Sequence, residues 1–179
     1  MLFSGTIRSN LDPFGQLTDV QLYESLARVG LIKPTTDDDI NTSSTSSNNT
    51  NIFRDLSSPV SESGGNLSQG QQQLLCIARS LLANSKIVVL DEATSAIDVA
   101  TDTLIQRNIR EWFTDRTLVV IAHRLSTVAD FDRILVLENG VLVENGSPRE
   151  LWKRDGTFRS MCDSTGASES ERLRQVIMG

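Results

Sequence analysis

The sequence predicts an α/β fold with a parallel sheet covered on both faces, on two observations. Ile87-Val88-Val89-Leu90 and Leu118-Val119-Val120-Ile121 are continuous apolar runs without polar alternation, the pattern of strands buried on both sides. Helical patterns flank them: Leu74, Ile77, Ala78, Leu81 and Leu82 before the first run, and Ile105, Ile109, Trp112 and Phe113 between the two. At 179 residues, 39% hydrophobic and 22% charged, the chain has the composition of one globular domain.

The elements follow in order. Residues 18 to 31 read as a helix, with Thr18 able to cap it and Leu22, Leu26 and Val29 on one face. From residue 35 to about 63 the chain is rich in Ser, Thr, Asn and Asp. Such a stretch buries too little apolar area to offset its conformational entropy, so a disordered insertion is expected. Ser68 is a good N-cap for the next helix, and another helix is expected from about Val99. Ile134 to Leu137 and Val141 to Val143 flank Asn139-Gly140, a strong hairpin signal. Ser147-Pro148-Arg149-Glu150 combines a capping box with Pro at the first helical position, so a short helix starts there. Beyond about Ser164 the tail is small and polar, then mildly amphipathic, with no clear signal.

Charge and composition exclude several classes. A formal net charge of -6 argues against a nucleic-acid partner, which needs a basic stripe. No run approaches the roughly 20 apolar residues that cross a bilayer, so no direct membrane span is expected in this chain. The N-terminus lacks the basic and apolar regions of a signal peptide. Cys76 and Cys162 have no metal-ligand spacing; Cys76, inside an apolar helical run, reads as a buried reduced thiol, and a cytosolic setting follows.

Three short features carry chemistry. Asp91-Glu92 closes an apolar strand, where an acid can hold magnesium and its neighbour can orient or deprotonate an attacking water. Leu67-Ser68-Gln69-Gly70-Gln71 opens a helix with a hydroxyl and a glycine that permits close backbone approach, a ready anion site. His123 is the only histidine and directly follows an apolar strand; near a terminal phosphate its ring could donate a hydrogen bond. Each feature alone is more often structural.

Their order is far more specific. Leu67 to Gln71, then Ile87 to Glu92, then Ser95-Ala96-Ile97-Asp98, then His123 resembles the signature loop, Walker B, D-loop and switch histidine of ABC ATPases. The segment Leu2 to Phe14 is similar to the region after the Q-loop in the second nucleotide-binding domain of the multidrug-resistance-associated subfamily C, as are Leu74 to Arg79 and Ile121 to Leu125. The resemblance implies a partial P-loop NTPase of ABC type: the helical subdomain plus the later strands of the catalytic core, lacking the Walker A strand. It covers residues 1 to 163, interrupted by the polar insertion, with 164 to 179 as a C-terminal tail. It implies ATP and Mg2+ as ligands. Ser68 and Gly70 would contact the γ-phosphate of a nucleotide held by the opposite domain, within a loop completed by Leu67, Gln69 and Gln71. Asp91 would act on magnesium, Glu92 would be the catalytic base, Asp98 would communicate across the dimer, and His123 would hold the γ-phosphate and attacking water. Gln69 departs from the commoner Gly at the third signature position. The implied partners are a second nucleotide-binding domain and the transmembrane domains of a transporter, at the cytosolic face of a membrane.

The G-x-x-x-x-G-K-[ST] pattern of a P-loop is missing: the lysines are Lys33, Lys86 and Lys153, none preceded by Gly or followed by Ser or Thr. Without that cradle the transferring phosphate's charge is largely uncompensated, so the isolated chain is expected to hydrolyse ATP negligibly. Met1 falls where the family continues without a break, so a fragment is expected. A missing P-loop strand would also leave an apolar strand edge exposed. The leading expectation is ATP hydrolysis coupled to solute transport. The alternatives are a standalone, non-catalytic module that docks on another nucleotide-binding domain, and a soluble ABC ATPase.

Overall fold

The computed structural model describes residues 2–33, 51–83, 85–91, 105, 108–122 and 124–179. The chain divides into two compact units, Met1–Val119 and Val120–Gly179.

In the first unit, strand Gly5–Thr6 pairs antiparallel with Pro59–Val60. Thr6 caps the short helix Ile7–Leu11. The fully buried Asn10 accepts from Phe3 N at 3.1 Å and donates to Phe3 O at 2.9 Å and Thr6 O at 3.1 Å, so no buried amide function is wasted. Asp12 accepts from Leu17 N at 2.7 Å, and that bond holds its carboxyl below the usual carboxylate range. The helix expected at 18 to 31 spans Asp19–Arg28, with Thr18 and Gln21 forming a capping box. It stops before Gly30, whose φ of 77° leaves the helical region. Leu22, Leu26 and Val29 are buried as their spacing requires.

Residues 51–63, read from composition as part of a disordered insertion, are instead ordered. Ile52–Arg54 forms a 3-10 turn capped by Asn51, and Phe53, Leu56 and Val60 are buried. Three well-placed apolar side chains and a distant strand partner outweigh the polar composition around them. Residues 34–50 lie outside the described residues.

The helix Gln69–Leu82 buries Leu75, Ile77 and Ala78, while Leu74 remains half-buried. Cys76 is half-buried rather than a core thiol. Arg116 closes the helix's far end, donating to Ser80 O, Leu81 O and Ala83 O, three carbonyls that the last turn leaves without amide partners. Strand Ile87–Asp91 pairs with Thr117–Ile121. Its expected burial on both faces does not hold: Val88 and Leu90 are buried, but Ile87 is 62% and Val89 61% exposed. Alternate side chains leave opposite faces of a strand, and the described residues cover only one. Helical residues 108–112 and Ile105 supply the buried Ile105 and Ile109, with Phe113 buried just beyond; Trp112 is half-buried, and the expected start near Val99 lies outside the described residues.

The second unit is built on the hairpin Ile134–Glu138 and Val141–Gly146. Asn139 and Gly140 take φ of 49° and 78°, the doubly positive turn whose twist suits a two-residue hairpin. Ser147 and Glu150 form the capping box of helix Pro148–Arg154, with Pro at its start. Helix Thr157–Asp163 follows, and Glu144 on the hairpin accepts from Phe158 N at 2.7 Å. The tail, which carried no clear signal, forms helix Ala167–Met178, and its Leu173 and Ile177 pack with Leu151, Phe158 and Cys162 in this unit's core. Burial, aided by Asp163, pushes the Cys162 thiol up to about 11. No described helix is long and apolar enough to cross a membrane.

Candidate functional site

The segment Leu67 to Gln71 begins with a buried residue, Leu67. Ser68 then caps the fourteen-residue helix: its Oγ accepts from Gln71 N at 3.2 Å, while its own N–H donates to Gln71 Oε1 at 2.9 Å. This reciprocal pairing fixes the backbone of the first turn. The first main-chain bond along the helix runs from Gln72 N to Ser68 O at 2.9 Å, so the Gln69 and Gly70 amides precede the helical ladder. Ser68 and Gln69 are exposed and Gly70 half-buried. The first turn contains no acidic residue. A positive helix end, exposed donors and no competing carboxylate together suit a phosphate.

Asp91 ends its strand and is exposed. It borders an open cleft of about 590 Å³ together with Gln72, Gln73, Cys76 and Arg79. Among the described residues no group of three His, Cys, Asp or Glu side chains could hold a metal. Magnesium, however, usually takes one or two carboxylates and completes its shell with water and phosphate oxygens, so a single exposed carboxylate fits it. Leu67 to Gln71 are consecutive at the start of the Gln69–Leu82 helix, and Asp91 at its strand end shares a cleft with Gln72 of that helix. Glu92, Asp98 and His123 lie outside the described residues.

Sequence reading missed the residues that shape the approach to Ser68. Asn66 accepts from Ser61 N and donates to Pro59 O, both at 2.9 Å. Gln72 Nε2 donates to Gly64 O at 3.0 Å and to Leu67 O at 3.1 Å. Between them Ser63 and Gly64 take φ of 55° and 76°, and a Cβ on Gly64 would lie 2.9 Å from Leu2 Cδ1. The adjacent Gly64-Gly65 pair was the available signal for this turn.

Residues 4–95 match the ABC transporter family model. ABC transporter 7 of Pyricularia oryzae is 53% identical over 94% of this chain and 11% of its own length. The ATP-dependent bile acid permease of Saccharomyces cerevisiae is 48% identical over 92% and 10%, and human ATP-binding cassette sub-family C member 2 is 44% identical over 93% and 10%. The chain therefore spans about a tenth of the length of these curated relatives. The structure of a bacterial Atm1-family ABC exporter with ATP bound superposes with a TM-score of 0.74 at 33% identity, covering 93% of this chain and 27% of that one. The chain belongs to the ABC transporter family, as part of a nucleotide-binding domain of the subfamily C type.

Proposed function

We propose that this chain supplies the signature face, magnesium carboxylate and catalytic base of a nucleotide-binding domain in an ATP-driven membrane exporter, acting at the cytosolic face. The observation that carries this reading is the Gln69–Leu82 helix, which offers exposed Ser68 and Gln69 at its positive end and no carboxylate in its first turn. The substrate is ATP, held by a phosphate-binding loop that this chain does not contain. Ser68 and the Gly70 amide donate to its γ-phosphate from the opposite side. Asp91 would hold magnesium, which would supply neutralisation of charge on the phosphates. Glu92 takes the proton of the attacking water, His123 orients that water and the γ-phosphate, and Asp98 links the two nucleotide-binding domains. The partners are that second domain and the transmembrane domains. Hydrolysis then drives movement of a solute across the membrane.

The test is hydrolysis of magnesium-ATP by the complete protein that carries this segment, in membranes. Glu92→Gln and Ser68→Ala should each lower turnover, the latter by about 100-fold, the effect of losing one donor to developing anionic charge. The 179-residue chain alone should hydrolyse ATP negligibly. Magnesium-dependent turnover by that chain, abolished by Glu92→Gln, would falsify this division of labour.

A further inference from the structure

We infer that Gln72 is a positioning residue for the signature hydroxyl, gripping the turn before Ser68 through two carbonyl oxygens; this rests on the reading above of Ser68 as a γ-phosphate contact. Gln72 occupies the fourth position of the Gln69–Leu82 helix. There a hydrophobic side chain often packs on the residue before the cap. Here that preceding residue is the buried Leu67, and the fourth position instead reaches back with an amide. One Nε2 bonds Leu67 O at 3.1 Å and Gly64 O at 3.0 Å, while Gly64 O also accepts from Leu67 N at 2.8 Å. Both partners are carbonyls, so only the NH2 of the side-chain amide can meet them, and both its protons are used.

The grip matters because the turn it holds is conformationally expensive. Ser63 stands at a φ of 55°, unusual for a residue with a side chain. The Gln72 methylenes cover Gly64 so closely that a Cβ there would sit 3.1 Å from Gln72 Cγ. Leu67 O belongs to the peptide whose nitrogen is that of Ser68. Fixing this carbonyl therefore fixes the peptide plane from which the Ser68 side chain departs. Gln71 fixes the cap residue itself, and Gln72 fixes the turn that precedes it.

Gln72→Glu keeps length and shape but turns an oxygen toward each carbonyl. In the complete transporter it should lower kcat about 10-fold or more, because small misplacement of a reacting-charge contact is costly. KM for ATP should stay within about two-fold, since the opposite domain holds the nucleotide and the signature acts on charge that develops in the transition state. Gln72→Lys, which restores a donor, should recover most of the lost turnover. Unchanged kcat in Gln72→Glu, or equal losses in the Glu and Lys variants, overturns the inference. If Gln72→Glu does not fold, Gln72→Met removes the donors without adding charge, and unchanged kcat there overturns it equally. Ser68→Ala is measured beside them. A silent Ser68→Ala sinks the signature reading itself, whereas a deficient Ser68→Ala with silent Gln72 variants sinks only the positioning role.

Discussion

The chain builds the same capping box at Ser68 and at Ser147, and the residue that closes the box is neutral in one and acidic in the other. Ser147 pairs with Glu150, whose carboxylate accepts from Ser147 N at 2.9 Å. Ser68 pairs with Gln71 through an amide oxygen at the same 2.9 Å. Hydrogen bonding is equally complete in both, and the serine hydroxyls accept at 3.3 and 3.2 Å. At Ser147 the positive end of the helix is already answered by its own carboxylate. At Ser68 it is left unanswered, with no acid in the first turn.

The largest expected effect comes from erasing that difference. Gln71→Glu preserves the box but places a negative charge beside the proposed phosphate position. In the complete transporter it should reduce ATP turnover about 100-fold or more, with the thermal midpoint held or raised slightly. Unimpaired turnover would mean the missing carboxylate has no functional meaning. Next in size are the serines themselves: Ser68→Ala and Ser147→Ala should each lower unfolding free energy by about 1 kcal/mol in urea titrations. A clear inequality between them would show that the boxes differ structurally as well as electrically. The smallest effect is a pH dependence. The Ser147 amide, then its hydroxyl, hold the Glu150 carboxyl below the ordinary carboxylate range. Its stabilisation is therefore complete above the unfolded-state pKa and disappears as pH falls through the lower folded-state pKa. Glu150→Gln should flatten that acid limb, whereas Gln71 contributes no counterpart at Ser68. An unchanged acid limb in Glu150→Gln would contradict the assignment.

What was legible in the sequence was local. Thr18, Ser68 and Ser147 announce their helices because a cap needs only its own side chain and the next three residues. Asn139-Gly140 announces its turn because few residues accept two positive φ values. What escaped depended on distant partners. Phe53, Leu56 and Val60 look isolated in a polar stretch until Val60 is seen opposite Gly5. Ile87 and Val89 belong to a run that composition alone assigns to a doubly covered strand, yet their exposure depends on what else packs there. The motif residues were readable as a pattern, and the loop from Leu67 to Gln71 could then be followed into geometry. Asn66 and Gln72 were not readable, because side chains that bind nearby carbonyls leave no periodicity behind.

Asn51 also donates from Nδ2 to Leu31 O at 2.6 Å. That single bond ties together the two points where the chain leaves and re-enters the described first unit around residues 34–50. The two positions are 20 apart in the chain, so this bond closes a long span with one polar contact, at an entropic cost that grows only slowly with the length enclosed. The same clasp seats Asn51 to cap the turn Ile52–Arg54, so the buried Phe53 enters the core from a fixed start.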